Sequence, residues 1–149
     1  MLEALGSGRV ARTIVPRPMD FAFPDDIPRN WMGGDAYLTQ LMNALSLTFP
    51  DGEKFFVSAV RTLRDAARSP ELAREVRGFL AQEALHRREH DGFNRILERQ
   101  GVEVEQFYAE VAALLREPEE QGSPLFRLAI TCALEHFTAV IAEMWLSSD

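Results

Sequence analysis

The chain lacks several features on which secreted, nucleic-acid-binding and disulfide-stabilised proteins depend. Cys132 is the only cysteine in 149 residues, so an internal disulfide is excluded and a reducing compartment is favoured. Lys and Arg number 16 against 23 Asp and Glu, and no basic tract offers a surface to nucleic acid. The first residues lack the sustained apolar core of a signal peptide. We therefore expect a cytoplasmic protein that binds no nucleic acid.

Uninterrupted hydrophobic runs and strand patterns are also missing. The most apolar stretch, Leu125–Leu146, contains Arg127, Glu135, His136 and Glu143. Each of these residues is costly inside a bilayer, so we expect no membrane span. Since no segment alternates apolar and polar residues, the sequence predicts an all-α protein with helices long enough for a bundle.

Proline and glycine divide the chain into two regions. Residues 1–34 contain four prolines and four glycines and show no helical periodicity. This composition predicts an extended N-terminal arm lying along a helical bundle domain at 35–149. Phe21, Phe23 and Trp31 are the residues expected to anchor the arm.

Five helical segments are predicted within the bundle. Asp35, Ser69 and Ser123 are suitable N-caps, and a proline follows each of the two serines at the first helical position. A break is expected at Phe49–Gly52, where a proline and a glycine fall together. The predicted segments are 35–47, 53–68, 70–100, 104–116 (ending near Pro118) and 124–146.

The third segment carries the most informative pattern. Eight seam positions follow one another at alternating spacings of four and three, which places them on one helix face. The seam is apolar at both ends, but Glu83, His86 and His90 occupy its middle. Because burying these groups without partners would cost several kcal/mol, a metal ion is the leading explanation. The seam residues are Leu72, Val76, Phe79, Glu83, His86, His90, Phe93 and Leu97.

Two other segments each place a glutamate on a similar seam. Glu53 lies between Phe49 and Phe56, and Glu135 lies at the centre of the last segment. Cys132 lies on the same seam as Glu135 and is expected in the core. Two-metal carboxylate sites in bundles use one Glu from each of two helices and Glu-x-x-His from each of the other two. The chain supplies three of these four helices. Either the sequence is a fragment, which we favour, or a second copy completes the bundle as a homodimer.

A family resemblance rests on three segments of this pattern and on the arm. These are Phe49–Phe56, Phe79–His90 and Ala133–Ala139, together with Arg17–Phe21 and Ile27–Trp31. They resemble the bacterial predicted metal-dependent hydrolases, a ferritin-like group, over nearly all of residues 15–149. The resemblance implies a ferritin-like bundle and a metal-dependent activity. Family members carry a further helix with a Glu-Glu-x-Glu-His motif, so this chain is expected to lack its last core helix.

The expected centre is a pair of metal ions bound by Glu53, Glu83, His86, Glu135 and His90. Mixed oxygen and nitrogen ligands suit iron or manganese, with zinc possible. Such a centre would act on an unidentified small molecule, by oxidoreductase or oxygenase chemistry with redox-active ions or by hydrolysis with redox-silent ones.

Other interpretations remain open at this point. Glu83 and His86 could form a buried hydrogen-bonded pair without metal, and His90 could be a ligand, a donor that orients one, or a core histidine. The segment His86–His90 also fits the H-x-x-E-H pattern of inverted zinc peptidases, in which Glu89 would activate water. His136 and Glu143 are expected off the metal face. A non-enzymatic association module with a vestigial site is the last alternative.

Overall fold

The polypeptide folds into four α-helices, and no strand occurs within residues 13–147, the range that the computed structural model describes. This confirms the all-α prediction. Asp35, Ser69 and Ser123 each accept a hydrogen bond at 2.9–3.2 Å from the backbone N–H three residues later, so all three predicted caps begin helices. The helices are α1 (Ala36–Leu63), α2 (Pro70–Arg99), α3 (Val104–Gln121) and α4 (Pro124–Leu146), with a 3-10 turn at Arg64–Ala66.

The predicted break at Phe49–Gly52 is wrong, because α1 continues through Pro50. A proline inside a helix leaves the carbonyl four residues earlier without its donor, which here is the carbonyl of Ser46. The side chain of Asn94 on α2 replaces that donor, with Nδ2 3.2 Å from Ser46 O. A contact between two helices therefore compensates for the local cost of the proline.

The predicted end of α3 at Pro118 is also too early. The helix runs to Gln121 and stops where Gly122 N–H donates to the carbonyl of Pro118 at 3.1 Å. Only one backbone hydrogen bond is lost at a proline. Because α3 is mostly exposed, water can solvate the freed carbonyl.

The core lies between α1, α2 and the start of α3. Leu47, Leu97 and Val104 are almost fully buried and pack with Phe93 and Phe107. Further along α1, Phe55, Phe56 and Ala59 are buried as well. The pair α1–α2 is thus the best-packed part of the protein.

Helix α4 is the exception to this packing. Thr131 is its one buried residue, while Leu125 and Phe137 are 71% and 69% exposed. The prediction that Cys132 lies in the core is wrong, since its side chain is exposed. No helix among the described residues covers this face. By length and composition alone α4 could cross a membrane, with a mean hydropathy of 1.5.

Residues 13–34 of the predicted N-terminal arm lie along α2 and run in the same direction as the helix, whereas residues 1–12 of that prediction lie outside the described residues. Ile14 crosses α2 at Gly78, and further on Arg17 N–H donates to Gln82 Oε1 at 2.9 Å. Near the other end Gln100 Nε2 donates to the carbonyl of Ile27 at 2.8 Å. Two of the three expected anchors make ring contacts with Phe93, at centroid distances of 5.7 Å for Phe23 and 5.4 Å for Trp31.

Candidate metal centre

Three of the predicted ligands meet where α1 and α2 pack together. Glu53 extends from α1, and His86 and His90 lie one turn apart on α2. His86 Nδ1 lies 2.9 Å from Glu53 Oε1, and the two Nε2 atoms of His86 and His90 are 3.3 Å apart. One donor atom from each residue falls within 4.8 Å of the other two. This spacing fits a shared cation.

Glu53 is 2% exposed, and neither of its oxygens has a hydrogen-bond partner. Its contact with His86 reaches ion-pair distance without hydrogen-bond geometry, so we describe it as an ion pair. Burial raises the pKa of Glu53, and the neighbouring His86 opposes that rise. A buried carboxylate that accepts no hydrogen bond is costly, and a cation would satisfy it.

A hydrogen-bond network fixes the tautomer of His90. Asn94 Nδ2 donates to Ser46 O, which can only accept, so Asn94 Oδ1 is the acceptor for the Ser46 hydroxyl at 2.8 Å. Since the hydroxyl proton is used there, Ser46 Oγ must accept from His90 Nδ1, 3.0 Å away. His90 Nε2 then presents a lone pair towards His86 and Glu53, as a metal ligand requires.

Burial and the charge of His86 lower the pKa of His90 to about 4, so this imidazole stays neutral at pH 7. His86 behaves differently. Its contact with Glu53 raises the pKa of His86 despite partial burial. The pKa of His86 is therefore raised and that of His90 is lowered, although the two histidines lie one turn apart.

Glu83 and Glu135 lie beside this group rather than inside it. Both line the same cavity of about 500 Å³ as Glu53, His86 and His90, but their oxygens are not part of the close cluster. Burial, followed by the charges of Glu135 and Glu53, raises the pKa of Glu83 to about 7. Burial also raises the pKa of Glu135. Three carboxylates around one cavity form a strongly anionic environment.

The remaining polar candidates lie elsewhere. His136 and Glu143 are exposed on α4. Glu89 uses both carboxylate oxygens on the arm, accepting from Phe21 N–H at 2.9 Å and Asp20 N–H at 3.2 Å. Arg88 also binds Glu89 and lowers its pKa. The water-activating role considered for Glu89 is therefore poorly supported.

Sequence inspection missed the residues that support the cluster. Ser46 lies seven positions before Glu53, and Asn94 lies four after His90, so both spacings place them on the site's face. Tyr108, which lies off the seams, receives a 3.0 Å hydrogen bond from Asn94. The signal was present in the spacing, but small polar residues are too common to be singled out.

Comparison with protein-family models identifies a match over residues 15–149, described as predicted metal-dependent hydrolase. The chain belongs to the predicted metal-dependent hydrolase family. The resemblance noted in the sequence is thereby confirmed. Comparison with curated proteins and with solved structures gives no match. The name of the predicted metal-dependent hydrolases agrees with the donor set of one carboxylate and two imidazoles.

Proposed function

We propose that this protein is a metal-dependent enzyme whose centre is held by Glu53, His86 and His90. The observation that carries the proposal is the buried carboxylate of Glu53, which accepts no hydrogen bond at either oxygen, forms an ion pair with His86 and lies close to both imidazoles. The fixed tautomer of His90 adds support, because it presents a lone pair without further rearrangement.

The proposal also includes a second metal ion beside the first. Glu83 and Glu135 would complete a two-ion iron or manganese centre in a ferritin-like bundle, since both residues line the same cavity as the three close donors. An iron pair would supply electrons for oxygen chemistry, whereas a zinc ion would acidify water. We favour the oxidoreductase class because three carboxylates exceed what one zinc ion needs.

A zinc hydrolase is the second candidate, favoured by the donor set itself. One glutamate and two histidines also form the ligand set of several zinc peptidases. In that case Glu83 would be the proton-transfer group, because it lines the same cavity without belonging to the close cluster of donors. This role replaces the one considered for Glu89.

Metal analysis of the full chain, purified without added metal, tests the proposal. Wild type is compared with Glu53→Gln, which keeps the volume of the side chain, and with Glu143→Gln as an exposed control. We expect about two iron or manganese ions per chain in wild type and the control, and a loss of at least half in Glu53→Gln. About one zinc per chain would favour the hydrolase, and no metal in wild type would refute both.

The proposal also covers the cellular location, the binding partners and the oligomeric state of the enzyme. We propose a cytoplasmic enzyme that acts on a small molecule and binds neither nucleic acid nor membrane. Large apolar side chains of α4, among them Leu125, Phe126 and Phe137, are more than half exposed, which supports self-association of two copies through this helix. Sedimentation velocity would reveal a dimer, and Phe137→Ser should weaken it. A monomer that binds neutral lipid vesicles would refute this part.

A further inference from the structure

A second cavity adjoins the metal centre on the side of the arm. It has a volume of about 360 Å³ and shares five side chains with the larger cavity, namely Met42, Leu45, Phe49, His86 and His90. Phe49 stacks near both histidines, with ring centroids 4.3 Å from His90 and 5.9 Å from His86. Anything that fills this cavity therefore lies against the imidazoles of the candidate centre.

The walls of this arm-side cavity are predominantly aromatic. Phe21 and Phe23 of the arm face Trp31 and Phe93, and the rings form a connected series of contacts at centroid distances of 5.4–5.8 Å. Met42 from α1 adds a flexible apolar side chain. Such a surface gains free energy by excluding water.

The polar groups in the wall are occupied by other partners. Trp31 Nε1 donates to Asn43 Oδ1 at 2.9 Å, and the hydroxyl of Ser46 is used by His90 and Asn94. Glu89 accepts two backbone N–H groups of the arm. A polar ligand group placed here would lose its hydration without a replacement partner, which opposes its binding.

We propose that the arm-side cavity binds the apolar body, a short alkyl chain or an aromatic ring, of the substrate. The identification of this ligand as a substrate rests on the proposed metal function, whereas the binding itself does not. The reacting end of the molecule would lie at the edge formed by His86 and His90. Sugars and nucleotides fit the cavity poorly because its polar wall groups away from the two imidazoles already have partners.

The arm supplies the outer wall and thereby makes the cavity deep enough to bind. Glu89 holds the arm backbone at Asp20 and Phe21, and Asp20 adopts a positive φ of 52° at this point. A left-handed conformation at a non-glycine residue is uncommon and costs free energy, so the contacts around it must maintain it. Phe21 is 53% exposed, so a smaller side chain there removes part of the cavity wall without leaving a void in the protein core.

The test measures binding of two probes to the full chain with all metal removed by chelation. The probes are 1-octanol and 1,8-octanediol, which have equal length but differ by a second hydroxyl. Trp31 and Trp145 are the two tryptophans, so the Trp145→Phe background leaves Trp31 to report on the cavity by its emission. We expect saturable binding of octanol about tenfold tighter than binding of the diol.

Matched variants locate the probe. Phe21→Ala should weaken octanol binding several-fold, whereas Phe137→Ala, which changes an exposed ring on α4, should leave it unchanged. Equal affinities for octanol and the diol, or binding lost in Phe137→Ala and kept in Phe21→Ala, would overturn the proposal. Because metal is absent, these outcomes are independent of the proposed metal function.

A last measurement tests whether the cavity serves the metal centre. Mn²⁺ is added to the octanol complex, and the relaxation rate of the octanol protons is compared between wild type and Glu53→Gln. Faster relaxation in wild type alone supports the link. Saturable octanol binding with unchanged relaxation, while Mn²⁺ still binds, would refute the placement beside the metal. Failure of Mn²⁺ to bind would refute the proposed function instead.

Discussion

The two sides of the candidate centre are constructed very differently. On the α1–α2 side, Glu53 is buried, and His90 is held through Ser46 and Asn94 by hydrogen bonds of 2.8–3.2 Å. On the α4 side, Glu135 is half-buried in a helix whose large apolar side chains are mostly exposed. One side fixes its donors in position, and the other contributes a carboxylate without supporting contacts in the described residues.

This difference indicates which residues determine the affinity for metal ions. Ligands held by packed neighbours need little reorganisation to bind an ion, whereas a carboxylate on an uncovered helix must be ordered first. Glu53, His86 and His90 should therefore dominate binding of the first ion. Glu135 should matter more for a second ion, whose site depends on how α4 is covered.

The largest expected effect comes from breaking the support on the α1–α2 side. Asn94→Ala removes the acceptor for Ser46 and leaves the Ser46 carbonyl without a donor, so His90 loses its fixed tautomer. We expect metal affinity to fall by about 10–100-fold, as measured by competition with a chromophoric chelator. Thr138→Ala is the control on α4, because Thr138 donates only to carbonyls of its own helix. Similar losses in both variants would contradict the proposed asymmetry.

The asymmetry also predicts how stability depends on pH. The pKa of Glu83 is about 7 in the folded protein against 4.5 when unperturbed, so the folded state retains a proton that the unfolded state has released. Without metal, the free energy of unfolding should therefore fall as pH rises from about 4.5 to 7, by a few kcal/mol. Denaturant titrations across this range measure the fall.

The neutral variant Glu83→Gln should remove the contribution of Glu83 to this pH dependence and leave those of Glu53 and His86, whose pKa values are also raised. Glu135→Gln should have a smaller effect, since Glu135 is less buried and can contact water more easily. If wild type and Glu83→Gln respond to pH alike, the carboxyl group of Glu83 does not carry the proton.

Sequence spacing predicted the meeting of Glu53, His86 and His90 because helical periodicity is local. Once α1 and α2 pack, residues on facing seams are brought together. The continuity of α1 through Pro50 could not be predicted in this way. It depends on Asn94, which lies 48 residues after the carbonyl that it binds. The binding of metal by Glu53, Glu83, His86, Glu135 and His90 stays a prediction.

The exposure of α4 was unpredictable for a related reason. Its seam, centred on Glu135, has the same spacing as those of α1 and α2, and spacing alone reports which residues share a face. It does not report whether another helix covers that face. Glu89 shows the same limit, since its spacing did not indicate that this residue, considered above for water activation, holds the arm through two backbone N–H groups.

The smallest predicted effect concerns the contact between the arm and α2. It tests whether the arm is held in position as the donors on the α1–α2 side are. A Cβ at Gly78 would clash with the carbonyl oxygen of Ile14, so Gly78→Ala must displace the arm. Alanine also favours the helix by about 1 kcal/mol, which offsets part of the lost contact and keeps the net change in stability near 1 kcal/mol or below.

Hydrogen exchange separates these two contributions. In Gly78→Ala we expect faster exchange at Arg17 N–H, which donates to Gln82 on the next turn of α2. The control is Gly52→Ala, whose Cβ would meet only the ring of Phe56 at 3.9 Å and should leave the arm protected. If Arg17 exchanges at the wild-type rate in Gly78→Ala, the contact at Ile14 does not position the arm. The ordered side would then consist of α1, α2 and the stretch of arm held by Glu89.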